Sequence, residues 1–172
     1  DEKIKVIGET GLDFSYDVSH INQINSLKLH IEIAIKYELP ILLHVRDAFD
    51  ETLKIISDYK SELKTILIHC FTGNDEYVDR FMNLDCYFSI TGIMTFKNAN
   101  KIRETIKKLP KNKIFFETDA PYLAPVPMRG RVNEPSLLKN IVNYYCNLTN
   151  SNFDEMAKIS SENYERFIKC QI

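Results

Sequence analysis

Four side chains that could bind a metal ion each follow a short apolar run in this 172-residue chain. They are Glu9, His44, His69 and Asp119. Imidazole nitrogens and carboxylate oxygens together form a good ligand set for divalent metals. Each residue alone has an ordinary structural explanation, such as a hydrogen-bonded core histidine or a turn-forming aspartate. Their joint recurrence after successive apolar runs favours a metal site.

The apolar runs are typical of buried parallel strands, because they are short and mostly rich in Ile, Val, Leu or Phe. Amphipathic helical patterns separate the runs. One such helical stripe consists of Ile21, Ile24, Leu27, Ile31 and Ile35. Strands that alternate with helices in this way indicate βαβ units and a mostly parallel sheet. The predicted strands are Ile4–Gly8, Ile41–His44, Thr65–His69, Cys86–Ile90 and Ile114–Glu117.

The candidate metal ligands all come at or near the carboxyl ends of these strands. In a (β/α)₈ barrel the carboxyl ends of all strands meet at one face, which holds the active site. We therefore predict an α/β fold of the TIM-barrel type, with residues 1–172 forming a single domain. The chain offers five strand candidates and 172 residues, against eight strands and about 250 residues in a typical barrel. An incomplete barrel is the expectation.

Composition excludes several classes of protein. Lys and Arg number 22 against 24 Asp and Glu, which gives a formal net charge of −2. A general basic field that would attract nucleic acid is therefore absent, and phosphate binding would need a local patch. The segment Arg129-Gly130-Arg131, ten residues after Asp119, is either such a phosphate clamp or a solvated surface loop.

Other sequence features bear on membrane association, nucleotide cofactors and the cellular compartment. The chain has no apolar run near the roughly 20 residues that span a bilayer, so we expect no membrane association. Neither a G-x-G-x-x-G motif nor a P-loop is present, so we expect no nucleotide cofactor. The four cysteines form no Cys-x-x-Cys pair. This cysteine pattern favours a reducing compartment, and we predict a cytoplasmic protein.

Six ordered motifs run along nearly the whole chain. They are Gly8-Glu9-x-Gly11-Leu12-Asp13, Leu43-His44-x-Arg46-x-Ala48, His69-Cys70-Phe71-Thr72-Gly73, the run from Glu117 to Pro125 (Glu-Thr-Asp-Ala-Pro-Tyr-Leu-Ala-Pro), Gly130-Arg131-x-Asn133-Glu134-Pro135 and Asn163-Tyr164-x-x-Phe167. On these motifs the chain resembles the TatD family of metal-dependent deoxyribonucleases, in the amidohydrolase superfamily. The resemblance implies a TIM-like barrel and a hydrolase that uses one or two divalent ions, Mg²⁺, Mn²⁺ or Zn²⁺, to cleave the phosphodiester bonds of DNA.

The same resemblance implies roles for individual residues. Glu9 would bridge or bind the ions, and His44 and His69 would bind the second ion. Asp119 would bind the first ion and help to activate water, so Asp119 and Glu9 are the expected catalytic residues. Arg46, Arg129 and Arg131 are the expected phosphate contacts.

The chain departs from the family pattern in one respect. Family members open with a His-x-His pair on the first strand, and this chain contains no such pair. We therefore expect that about the first two βα units are missing, and that another chain or segment completes the barrel. Two alternatives stay open, namely a truncated non-catalytic paralogue that acts as a binding module, and a metal-dependent amide or ester hydrolase.

Overall fold

A computed structural model describes residues 3–169 of the chain. Within these residues, strands and helices alternate along most of the sequence. The strands are β1 (Ile7–Asp13), β2 (Ile41–Arg46), β3 (Ile66–His69), β4 (Tyr87–Ile90) and β5 (Ile114–Phe116). The helices are α1 (His20–Lys36), α2 (Phe49–Asp58), α3 (Asp75–Asn83), α4 (Asn100–Ile106), α5 (Leu138–Thr149) and α6 (Phe153–Lys169). Short 3₁₀ helices lie at Gly92–Thr95, Lys111–Lys113 and Pro135–Leu137.

The described residues divide into two compact units. The first unit consists of residues 3–69, 79–87 and 166–169, and the second of residues 70–78 and 88–165. The chain therefore passes between the units directly after β3 and within α3, β4 and α6.

The first unit contains three parallel strands with β2 in the middle. Gly11 of β1 pairs with His44 of β2, which in turn pairs with His69 of β3. Apolar residues of β2 and β3, among them Ile41 and Ile66, are fully buried. The strands form here because these β-branched and leucine side chains can be covered on both faces, as in parallel sheets generally.

The first strand differs from its prediction. We expected Ile4–Gly8, whereas β1 runs over Ile7–Asp13, so Glu9 lies inside the strand rather than after its end. The pairing of β1 with β2 shifts register between Ile7 and Thr10. The strands are closely packed just beyond this shift, since a Cβ atom on Gly11 would lie only 1.9 Å from the carbonyl oxygen of His44. A run with two glycines does not have the apolar pattern of a strand, which is why the sequence placed β1 too early.

Helix α1 packs against β1, and the middle of the predicted stripe is buried. Leu27 and Ile31 of the stripe are buried together with Ala34, whereas Ile21 at the start of the helix is 60% exposed. The helix ends at Lys36, four residues before Pro40, which disfavours helical backbone in the residue that precedes it. The stripe was drawn from isoleucine and leucine positions alone, so it passed over the small apolar side chain of Ala34.

The second unit contains the parallel pair β4 and β5, in which Phe88 pairs with Ile114 and Ile90 pairs with Phe116. Phe116 packs against Tyr145 of α5, with ring centroids 5.2 Å apart. The buried amide of Asn163 in α6 donates to the backbone carbonyls of Lys111 and Ile114. The Asn163 bonds therefore hold the amino end of β5, and the Phe116 contact lies at its carboxyl end, from which the next candidate site residues follow. The strands β2 to β5 all lie within two residues of their predicted limits.

Candidate metal centre

Glu9, His44 and His69 come together in the first unit. One possible ligand atom from each lies within 4.8 Å of the others. Oε1 of Glu9 lies 3.0 Å from Nδ1 of His44 and 3.6 Å from Nε2 of His69. Three of the four residues that the sequence marked as metal ligands are thus neighbours in space.

The pairing of β2 with β3 places the two histidines side by side. His44 and His69 are register partners on parallel strands, and register partners point to the same face of a sheet. Their ring centroids are 6.1 Å apart. The His69 side chain is 9% exposed and that of His44 is 33% exposed, so the pair is open to solvent on the His44 side.

Glu9 reaches the histidines because β1 is irregular. The register shift between Ile7 and Thr10 surrounds Glu9, and such irregularities re-aim a side chain relative to a regular strand. Close approach of Gly11 to the backbone of His44 brings the two strands together at this point. The Glu9 side chain is 46% exposed.

A further carboxylate, that of Asp13, contacts His44 from the other side. Its Oδ2 lies 3.1 Å from Nε2 of His44. Burial acts to raise the pKa of Asp13, but hydrogen bonds from Ser15 and His44 outweigh it and hold the pKa below its ordinary value of 3.8. Asp13 is the last residue of the first family motif, but no role was predicted for it. The signal that could have found it is the spacing from Gly11, since alternate residues of a strand share a face.

The donor set fits a divalent ion. Two imidazoles and one carboxylate suit Zn²⁺ or Mn²⁺, and a carboxylate can also serve Mg²⁺. The group of Glu9, His44 and His69 supplies three protein ligands, which is the number that catalytic zinc sites use when they keep one position open.

Asp119 lies in the second unit, three residues after β5. Its backbone is left-handed, with φ of 57°, and its carbonyl accepts a hydrogen bond from the backbone N–H of Tyr122 at 2.8 Å. Buried Asn133 donates to the carbonyls of Thr118 and Tyr122. Asn133 thereby holds the turn that presents Asp119, a role that the sequence analysis missed. Its presence in a quoted motif was the available signal.

The three arginines occupy different places. Arg46 is the exposed last residue of β2 in the first unit. Arg129 and Arg131 are exposed in the second unit, and the guanidinium of Arg129 lies 4.1 Å from the centre of the Phe96 ring. Their contact with phosphate stays a prediction, as does the ligand role of Asp119.

Glu117, the residue directly after β5, was not expected to have a separate role. Its Oε1 accepts a hydrogen bond from the hydroxyl of Ser89 at 2.6 Å and from the backbone N–H of Cys70 at 2.8 Å. Ser89 is fully buried. This carboxylate therefore joins β4 to the backbone of Cys70 inside the second unit.

Among the described helices, none combines the length and the apolar character that a membrane crossing requires.

Comparisons with known proteins identify the family. A family model described as TatD related DNase matches residues 1–169. The chain is 37% identical to YabD of Bacillus subtilis over 98% of its own length and 66% of the relative. It is 35% identical to YcfH of Escherichia coli strain K12 over 96% of its own length and 63% of the relative. Both relatives are described as uncharacterized metal-dependent hydrolases, and the chain spans about two thirds of their length.

Solved structures agree with this result. The crystal structure of YjjV, a TatD homologue from Escherichia coli, aligns with a TM-score of 0.91 at 28% identity, covering 96% of this chain and 64% of that one. A TatD family hydrolase from Entamoeba histolytica has the same fold, with a TM-score of 0.87 at 19% identity over 99% of this chain and 65% of that one. The predicted α/β fold with parallel strands is confirmed, while an incomplete barrel stays a prediction. Because the family match extends over almost the whole sequence and includes Glu9, His44 and His69, the chain belongs to the TatD-related DNase family.

Proposed function

We propose that the protein is a divalent-metal-dependent hydrolase whose substrate is the phosphodiester bond of DNA. The convergence of Glu9, His44 and His69 is the observation that carries this proposal. Membership of a family described as TatD related DNase supports DNA as the substrate class. The relatives described as metal-dependent hydrolases support the use of a metal ion.

The three residues of the centre would hold the ion. A bound divalent ion polarises a phosphoryl oxygen and neutralises the charge that develops on it. The partial exposure of Glu9 and His44 leaves a side of the centre accessible to a substrate, whereas buried His69 provides a fixed point. The negative charge of Glu9 favours binding of a cation beside the two imidazole rings.

Asp119 is the proposed general base. Its carboxylate would accept the proton of the attacking water, a role that requires the group to be held in place and ionised. The left-handed backbone at Asp119 and the hydrogen bonds from Asn133 hold this turn. We assign phosphate contacts to Arg46, Arg129 and Arg131. The guanidinium of Arg129 lies over the Phe96 ring, a contact that attracts the cation to the ring and helps to hold it in place.

The test is a nuclease assay on the intact protein with single- and double-stranded DNA in Mg²⁺, Mn²⁺ or Zn²⁺. We expect EDTA to abolish cleavage, and Asp119→Asn to slow it about 100- to 10,000-fold, the range for loss of a general base. Asp58→Asn, at the exposed end of α2, is the matched control and should cleave normally.

Two results would change the proposal. Cleavage that survives both EDTA and Asp119→Asn would overturn the proposed mechanism. Hydrolysis of small amides or esters without any cleavage of DNA would keep the metal-dependent hydrolase but replace its substrate class.

A further inference from the structure

His44 lies between two carboxylates, one on each ring nitrogen. Nδ1 lies 3.0 Å from Oε1 of Glu9, and Nε2 lies 3.1 Å from Oδ2 of Asp13. The two carboxylates belong to the same strand, four residues apart. An imidazole has one nitrogen for a metal ion and one N–H for a hydrogen bond, so these two carboxylates must differ in what they do.

The position of His69 separates the two roles. Oε1 of Glu9 is close to Nδ1 of His44 and also 3.6 Å from Nε2 of His69. The potential ligand atoms therefore gather on the Nδ1 side of His44. Among the described residues, Asp13 is outside this group of three and contacts the opposite nitrogen. An ion held by Glu9 and His69 would thus meet Nδ1, leaving the Nε2–H to Asp13.

Asp13 is itself held by hydrogen bonds with two neighbours, Ser15 and Gln23. Oδ1 of Asp13 accepts hydrogen bonds from the backbone N–H and the hydroxyl of Ser15. The side-chain amide of Gln23, in the first turn of α1, makes two further bonds to the backbone of Asp13. It accepts from the Asp13 N–H at 2.8 Å and donates to the Asp13 carbonyl at 2.9 Å. The side chain of Asp13 is 15% exposed, so these bonds are partly shielded from water.

We propose that Asp13 is a positioning residue of the metal centre, which accepts the Nε2–H of His44 and so directs the Nδ1 lone pair toward Glu9 and His69. Gln23 and Ser15 keep the Asp13 carboxylate in place. This inference rests on the proposed function, because it requires that Glu9, His44 and His69 bind an ion. Carboxylates in this position commonly fix the tautomer and ring orientation of a metal-binding histidine.

The first test measures the affinity of the intact protein for Zn²⁺ and Mn²⁺ by calorimetry. Asp13→Ala should weaken binding about 10- to 100-fold, the usual effect of removing such a partner. Asp13→Asn keeps an acceptor oxygen and should lose less than Asp13→Ala. Gln23→Leu removes both bonds to the Asp13 backbone and should give a smaller loss than Asp13→Ala. Asp17→Ala, at an exposed position between β1 and α1, is the matched control and should bind both ions normally.

A second measurement separates positioning from a general loss of structure. In the Zn²⁺-loaded protein, ¹⁵N NMR of the histidine rings should show metal on Nδ1 and a proton on Nε2 of His44. The Nε2 proton should exchange with solvent faster in Asp13→Asn than in the unchanged protein. The asparagine would have almost the same volume as the aspartate and differ from it by one charge. We therefore expect Asp13→Asn to stay folded, so that this comparison can be made even if Asp13→Ala unfolds.

The outcomes are distinguishable. If the unchanged protein binds neither ion, the proposed metal centre fails and this inference fails with it. If the unchanged protein binds and Asp13→Ala binds equally tightly, only the role of Asp13 is overturned. Metal on Nε2 of His44 would also overturn it, because Asp13 would then face the ion directly.

Discussion

In the first unit, the carboxylate of Glu9 faces two imidazoles on β2 and β3, and nearly half of its side chain is exposed. In the second unit, the carboxylate of Glu117 accepts hydrogen bonds from the buried hydroxyl of Ser89 and the backbone of Cys70. Glu9 lies within a parallel strand and Glu117 directly follows one, yet their surroundings differ. The first carboxylate faces groups that bind cations, whereas the second receives donors from the protein itself.

The glutamate carboxylate thus has two different roles in this fold. A carboxylate that receives N–H and O–H donors from the protein stabilises the loops that carry those donors. A carboxylate that faces imidazole nitrogens provides, together with them, a set of lone pairs suited to an ion. We therefore expect substitutions in the two units to change different measured quantities, namely ion affinity in the first and folding stability in the second.

The largest expected effect is at the glycine that brings β1 to β2. Gly11→Ala would place a Cβ atom 1.9 Å from the carbonyl oxygen of His44, and a backbone oxygen cannot rotate away. We expect the free energy of unfolding to fall by about 3 kcal/mol, the upper part of the range for overpacking. Urea titration measures this loss.

The matched control lies in the second unit. A Cβ atom on Gly130 would have no neighbour within 4 Å, although its φ is +90°. Gly130→Ala should therefore cost only the backbone strain, about 1 kcal/mol. Equal costs for the two alanine substitutions would show that close packing of β1 does not hold the metal centre together.

The next effect is on ion binding. Glu9→Gln keeps the size of the side chain but removes its charge, and should weaken Zn²⁺ or Mn²⁺ binding by about 100-fold, equivalent to about 2.8 kcal/mol. The unfolding free energy of the metal-free protein should change by less than about 0.5 kcal/mol, because Glu9 is half exposed. Calorimetry and urea titration measure the two quantities on the same samples. Glu62→Gln, an exposed glutamate before β3, should change neither.

Glu117 should show the opposite behaviour. Glu117→Ala removes the acceptor of the Ser89 hydroxyl and one of the two acceptors of the Cys70 N–H. We expect the unfolding free energy of the metal-free protein to fall by about 2 kcal/mol, as for hydrogen bonds to a charged group. Glu104→Ala breaks only an exposed pair with Lys107 and should cost less than about 0.5 kcal/mol. A stability loss no larger than that of Glu104→Ala would remove the distinction between the two units.

The smallest effect concerns acid stability in the second unit. A hydrogen bond from Lys108, followed by one from Thr105, lowers the pKa of Asp75 below its ordinary value of 3.8. Because the folded pKa is the lower one, the stabilisation is present above pH 3.8 and disappears as the pH falls through the folded value. Urea midpoints of the unchanged protein and of Asp75→Asn should therefore differ slightly at pH 6 and converge at pH 2. A difference that persists unchanged at pH 2 would contradict the assignment.

Much of the architecture could be predicted from local patterns. The apolar runs that became β2 to β5 are continuous, so their limits could be read within two residues. The positions of His44 and His69 at the ends of two such runs, together with the parallel order of the strands, were sufficient to predict that their side chains would meet. The motifs around Glu9, His69 and Asp119 were sufficient to indicate the family.

Other features depended on contacts between residues distant in sequence. The true course of β1 follows from the close approach of Gly11 to the backbone of His44, and no local pattern encodes that approach. The role of Asp13 depends on the same pairing, since only the register of β1 on β2 places its carboxylate against Nε2 of His44. The sequence by itself thus located the strands β2 to β5 and the metal-binding residue types near their ends, because an apolar run is a property of neighbouring residues. Tertiary structure decided which atoms of those residues face one another, because register and backbone approach are set by packing between strands.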